Sequence, residues 1–347
     1  MTMSNAVGLR ESYAKSNHAV RFGAAFAVGL SCLFAGVTGV AAQEPYPNHT
    51  IKIVIPFAAG GPIDSVGRPV AEVMSKDFGV PVVIENKPGA NGIVAAGGVT
   101  RSAPDGYTLL LTTGSHTANP SVVKDLPYDP IKDFTPVSLL AEAPYGQVLV
   151  VRNSLPVKSV ADLIALAKKE PGKILFGHAG VGNVTHITGE MFQHAAGVTF
   201  QPVPYRGTPL IITDLIGGHV DVGFVLTSAA VPLIKDGKIR ALANTGTKRA
   251  PALPDVPTFT EIGLPGVVMT GFFGFLLPGK APQEIVDKLA KEAAKAVHQP
   301  EVVRAFTLND LVPVGSTPAE FKAYLEKDLA YQRELTQRIG FKPIAIQ

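Results

Sequence analysis

Four segments of this chain place backbone donors, hydroxyls or a lone cation directly behind a predicted strand. The first is Ala58-Ala-Gly-Gly-Pro-Ile-Asp64, which follows Ile51-Lys-Ile-Val-Ile-Pro-Phe57. Gly60 and Gly61 permit positive φ, so several N–H groups can face one point. The helix predicted beyond adds partial positive charge, and together these can hold a small anion without a charged side chain. Asp64 is placed to cap that helix through its carboxylate. An ordinary tight turn is the simpler reading of a bare Gly-Gly, and no Gly-Lys-Ser/Thr follows, which excludes a P-loop.

The second segment, Thr112-Thr-Gly-Ser-His-Thr-Ala-Asn-Pro120, offers hydroxyls and amides as a polar wall. Ser115 beside His116 evokes a nucleophile and base. Sequence neighbours point apart on most backbones and no Gly-x-Ser-x-Gly elbow is present, so no catalytic residue is expected. The third, Gly177-His-Ala-Gly-Val-Gly-Asn-Val-Thr-His186, again sets glycines between strand and helix. Its Gly180-Val-Gly182 lacks the third glycine of a dinucleotide site. His178, His186 and His194 are spaced by eight and match no zinc pattern, so they read as cap or surface histidines and no metal is expected. The fourth, Val203-Pro-Tyr-Arg-Gly-Thr208, supplies an amphipathic Tyr205 and an Arg206 able to pair with a carboxylate, or to lie solvated in a turn. Gly218-His-Val-Asp-Val-Gly-Phe224 ends a further strand near the same place.

The elements that must position these segments alternate along the chain. Strands are predicted at 52–57, 80–86, 107–112, 139–151, 173–178, around Val203, at 220–226 and at 240–244. Helices are predicted at 66–78, 93–102, 160–170, 186–196, 209–216, 282–297, 300–307 and 318–339. Ser159 is positioned to cap the helix at 160, while Pro69 removes one N–H from the first helix. Such alternation argues for an open α/β architecture with mainly parallel sheets, and ligands then sit at the carboxyl ends of the strands. The long extended segments 139–153 and 270–278 suit two crossings between domains. The domains expected are 43–143 plus 271–347 and 144–270.

The 347 residues are 46% hydrophobic and 17% charged, a globular composition. Residues 1–42 read as a cleavable secretory signal: Arg10, Lys15 and Arg21 precede an apolar run from Phe22 to Val40, and Val40-Ala41-Ala42 supplies a cleavage site after Ala42. A membrane anchor and lipidation at Cys32 are the competing readings. Cys32 is the only cysteine, so the processed chain has neither disulfide nor thiolate chemistry. Without the leader's three basic and one acidic residues, the totals of 31 and 28 become 28 and 27. A net charge of +1 gives no basis for nucleic-acid binding.

These blocks, with Glu85-Asn-Lys-Pro-Gly-Ala-Asn-Gly92, Pro104-Asp-Gly-Tyr-Thr-Leu109, Leu126-Pro-Tyr-Asp-Pro-Ile-Lys-Asp-Phe134 and Asp255-Val-Pro-Thr258, resemble the Bug family. Bug proteins are the extracytoplasmic solute receptors of tripartite tricarboxylate transport. The resemblance spans essentially the whole processed chain. It implies a two-domain periplasmic-binding-protein fold with a central cleft, a small carboxylate ligand, integral-membrane transporter subunits as partners, a periplasmic location, a monomer and no cofactor. Carried over residue by residue, it implies ligand contacts from Phe57, Ala59, Gly60, Pro62, Ile63 and Asp64. From the second domain it implies Gly180, Gly182, Asn183 and His186, with Tyr205, Arg206 and Gly207 beside them and Phe224 nearby. Thr113, Ser115 and Asn119 would line the wall of the first domain. Ala59 stands where the family often has proline. Val225 stands where many members carry an acidic residue, which favours a ligand without an amine. The alternatives are a ligand sensor for a membrane signalling protein and an exported hydrolase using Ser115, His116 or Asp64.

Overall fold

The alternation of short β-branched runs with 3.6-period helices builds two sheets, each flanked by helices. The structure, a computed structural model, describes residues 46–345. The leader, its cleavage point after Ala42 and Cys32 lie outside the described residues. The chain begins β1 (Ile51–Ile55), α1 (Asp64–Phe78), β2 (Val82–Asn86), α2 (Ile93–Val99), β3 (Thr108–Thr113), α3 (Gly114–Val122) and β4 (Phe134–Ala143). It continues β5 (Gln147–Arg152), α4 (Val160–Lys169), β6 (Leu175–His178), α5 (Val184–Ala196), β7 (Gln201–Pro204) and α6 (Thr208–Gly217). Then come β8 (Val222–Leu226), α7 (Thr227–Lys235) and β9 (Ile239–Asn244). It closes with β10 (Gly271–Pro278), α8 (Gln283–Val297), α9 (Pro300–Leu308), β11 (Val312–Pro313) and α10 (Pro318–Arg338).

The first lobe is built on a sheet of order β11-β4-β10-β3-β1-β2 and the second on β7-β6-β8-β5-β9. The expectation of mainly parallel sheets holds only within β2-β1-β3 and β7-β6-β8. β10 runs antiparallel to both β3 and β4, and β5 runs antiparallel to β8 and β9. Both sheets are therefore mixed. The physical reason is that β4, β5 and β10 belong to passages between the sheets, not to βαβ units, so no right-handed crossover fixes their direction. The chain changes sheet between Ala143 and Gln147, and returns over the stretch between β9 and β10.

Local chemistry explains the helix limits. Ser159 accepts from the Asp162 N–H and caps α4 as expected. α1 stops at Gly79, whose φ of 70° is left-handed. α8 turns Val286, Leu289, Ala290, Ala293, Ala296 and Val297 into the first lobe's core, a 3.6-residue stripe. Two helices escaped the sequence pattern. Residues 112–120 do not form a loop: α3 starts at Gly114, with the Thr113 hydroxyl accepting from Ser115 N–H. Its weak intrinsic propensity is overridden by packing against α10. α7 was hidden by Pro232 inside it.

α5 follows a second-lobe strand, yet Ile187 and Met191 are buried in one cluster with Leu110, Phe272 and Phe321 of the first lobe. Bonds between side chains and backbone tighten the same seam. Asn91 Nδ2 donates to Gly182 O at 3.2 Å, and Asn183 Nδ2 donates to Asn91 Oδ1 at 2.9 Å.

Candidate functional site

A cleft of about 1040 Å3, partly open to solvent, lies between the lobes. Its walls hold the start of α1 (Gly61, Pro62, Ile63) and of α3 (Thr113, Gly114, Ser115) from the first lobe. From the second lobe come the start of α5 (Asn183, Val184, Thr185) and of α6 (Gly207, Thr208, Pro209). Four helix N-termini therefore meet at one cavity, two from each lobe. A helix N-terminus turns its first N–H groups outward and carries roughly half a positive charge, so the cavity is anion-seeking with few formal charges. Arg206 adds one cation at the wall and is itself exposed. Phe57, Leu226, Met269, Phe272 and Phe273 give apolar surface between these poles. β1, β3 and β6 each deliver their carboxyl ends to the cleft, the usual ligand position in an open α/β sheet.

Of the residues expected to bind ligand, Phe57, Pro62, Ile63, Thr113, Ser115, Asn183, Arg206 and Gly207 line this cleft. Ser115 is 4% exposed, and its hydroxyl has no hydrogen-bond partner among the described residues. Asn183 caps α5 by accepting from Thr185 N–H at 3.0 Å, while its amide nitrogen is held by Asn91.

The others go elsewhere. Gly60 takes a φ of 81°, as its turn requires, but its N–H donates to Asp64 Oδ2 at 2.5 Å and is not free for a ligand. Asp64 does not cap α1 either. Its buried carboxylate turns back to accept from the Gly60 N–H of the loop, from Asn86 Nδ2 at the end of β2 at 3.1 Å and from Arg68 of α1 at 3.3 Å. Asp64 is thus the internal brace of the first loop. Asp64→Ala strands the Gly60 and Asn86 donors and is expected to cost about 2 kcal/mol. Urea unfolding measures it, and a midpoint equal to the wild type's would show that the loop needs no brace. Ala59 is exposed beside this turn and lies off the cleft.

Asn119 is buried a turn inside α3, where its side chain meets Asn91 and Tyr128 beside a separate small cavity. Gly180 and Gly182 shape the β6–α5 turn without lining the cleft. Tyr205 ties its hydroxyl to Asp214 of α6 at 2.5 Å, and desolvation followed by that carboxylate pushes the phenol up to about 12. Phe224 is wholly buried among Phe176, Phe192 and Phe259 and is a core residue of the second lobe. It shares its face of β8 with the cleft residue Leu226, but lies two residues further from the strand's carboxyl end, under the aromatic cluster.

Of the three histidines read as cap or surface groups, His194 is exposed at the end of α5, whereas His178 and His186 are buried. His116 is buried with Nε2 2.9 Å from the Pro130 carbonyl, and burial holds its ring down to about 4. It does not pair with Ser115. His178 and His186 stack at 4.3 Å, both buried, and His186 Nδ1 accepts from Gly182 N–H at 3.1 Å. Burial first, then the neighbouring His178, holds His186 down to about 3.

Sequence reasoning missed a third wall. Gln147, Thr270, Phe272 and Phe273 reach the cleft from the crossing strands, and Asp328 and Gln332 from α10. A signal for the last two existed. Phe321, Leu325, Asp328, Gln332 and Leu335 recur every three or four residues, so an acid and an amide sit in the buried stripe of an amphipathic helix. Val225 is wholly buried in the apolar core of the second lobe. The cleft's carboxylate comes from α10 instead.

A family model described as the tripartite tricarboxylate transporter family receptor matches residues 66–341. Protein BugT of Bordetella pertussis is 30% identical over 317 residues, 91% of this chain and 97% of that protein. The structure of the periplasmic binding protein BugD superposes with a TM-score of 0.82 at 33% identity, covering 86% of this chain and all of BugD. A Rhodopseudomonas palustris protein solved with adipate, Rpa4515, superposes at 0.81 with 33% identity, covering 86% of this chain and 100% of that one. Two mixed sheets around a cleft lined by helix N-termini agree with these matches, and the chain belongs to the receptor family of the tripartite tricarboxylate transporters.

Proposed function

We propose that this protein captures a small carboxylate in the interlobe cleft by hinge closure and passes it, chemically unchanged, to the integral-membrane subunits of a tripartite tricarboxylate transporter. The observation that carries this is the convergence of four helix N-termini, two per lobe, on one cavity. Only the closed arrangement offers the ligand both pairs at once, so binding favours closure by the difference in contacts between the states. The bodies that move are taken as 43–143 with 271–347, and 144–270. The receptor works in the periplasm after loss of residues 1–42. The Rhodopseudomonas relative was solved with adipate, which supports a small carboxylate as the ligand class.

Thermal unfolding against mono-, di- and aromatic carboxylates tests the reading. Ligand at a hundred times its Kd adds about 2.7 kcal/mol, a rise in Tm of about 5 °C. Arg206→Ala removes one charge-assisted contact and is expected to weaken that ligand about tenfold or more. No stabilisation by any carboxylate, or chemical conversion of the one that binds, would overturn the proposal.

A further inference from the structure

Helix N-termini provide hydrogen-bond donors, yet the same cleft also carries acceptors that a bare carboxylate does not satisfy. Asp328 faces the cleft from α10. Its carboxylate accepts from the Thr117 hydroxyl and is hydrogen-bonded to Gln332. Thr117 lies in the first turn of α3, close behind Ser115, so this acid sits beside one of the anion-seeking helix starts. Burial raises its carboxyl above the ordinary range.

Gln147 is an independent sign. It lines the cleft at 3% exposure, and its Oε1 has no hydrogen-bond partner among the described residues. A buried acceptor left unmade is costly, and a ligand that brings a donor removes that cost.

Resting on the receptor reading above, we infer that Asp328, Gln332 and Gln147 form an acceptor pole that selects carboxylates bearing a hydroxyl or ammonium group over unsubstituted ones. An ammonium pairs with the Asp328 charge and a hydroxyl donates to it. An alkanoate or alkanedioate offers no donor to these acceptors and, unlike the ammonium member, nothing to offset the Asp328 charge. Discrimination of this kind is strong because the unsubstituted ligand leaves buried polar groups unpaired.

Isothermal titration of the purified protein with three matched sets tests this: propionate, lactate and alanine; succinate, malate and aspartate; glutarate, 2-hydroxyglutarate and glutamate. In at least one set the hydroxy or ammonium member is expected to bind at least about tenfold tighter than its parent. The tighter of the two tells which donor the pole reads. Asp328→Asn keeps an acceptor for Thr117 and is expected to bring that ratio to within about twofold while the parent still binds. Gln147→Leu, which leaves α10 untouched, is expected to lower the ratio severalfold. Parents binding as tightly as their substituted partners in every set would overturn this inference alone, as would an undiminished preference in folded Asp328→Asn and Gln147→Leu. Binding by none of the nine would overturn this inference, and the receptor reading falls with it only if the wider carboxylate screen is also blank.

Discussion

Gly146→Val is expected to destabilise the protein by at least about 4 kcal/mol, a large share of the stability of a typical domain. Gly146 lies where the chain passes from β4 to β5, between Ala143 and Gln147. Two separate penalties act there. Its φ of 61° is strained for a β-branched residue. A Cβ would also lie 2.1 Å from the Met269 carbonyl and 2.3 Å from Thr245 Oγ1. Neither neighbour can retreat: Thr245 Oγ1 accepts from Gln147 N–H at 2.8 Å and donates to Met269 O at 2.6 Å. The substitution attacks the junction of both chain passages at once. Equilibrium urea unfolding reads the loss, and a wild-type midpoint would show that the junction is pliable.

Lowering the pH from 7 to 5 is expected to cost about 4 kcal/mol through two histidines. His116 is held down to about 4 and His186 to about 3, against 6.5 for an ordinary histidine. Over that interval the unfolded chain takes up protons that the folded chain refuses. Each ring then removes about 1.4 kcal/mol of stability per pH unit as the pH falls. The loss levels off only below the depressed values. His178, lowered for the same reason of burial, acts in the same direction. Glu190, raised by burial, acts in the opposite one and moderates the slope. Urea midpoints at pH 7 and 5 measure the effect. The double variant His116→Gln, His186→Asn should show a much flatter dependence. Equal wild-type midpoints at the two pH values would contradict the burial of these rings.

The strand–turn–helix units were legible in the sequence because β-branched alternation and glycine punctuation are local. The loops at 58–64 and 203–208 were found that way, and both reach the cleft. The direction each side chain takes within such a loop was not legible. Asp64 and Gly60 satisfy each other, a choice settled by atoms that meet only once Asn86 and Arg68 are in place. Phe224 lies in the middle of β8 and packs in the aromatic core, since β8 runs between β5 and β6 and is covered on both faces, and only Leu226 at its end reaches the cleft. The α10 wall was invisible for another reason. Asp328 and Gln332 come from the far end of the chain, and only the return of α10 against α3 and β4 sets them beside Ser115.

The seam at α5 has a bearing on how solute enters. Because Ile187 and Met191 are sunk in the opposite lobe, that helix acts as the spine of a book whose covers are the two sheets. If the covers part as proposed, the spine stays glued and the mouth widens along its free edge, so the breadth of a solute would limit its entry as well as its charge.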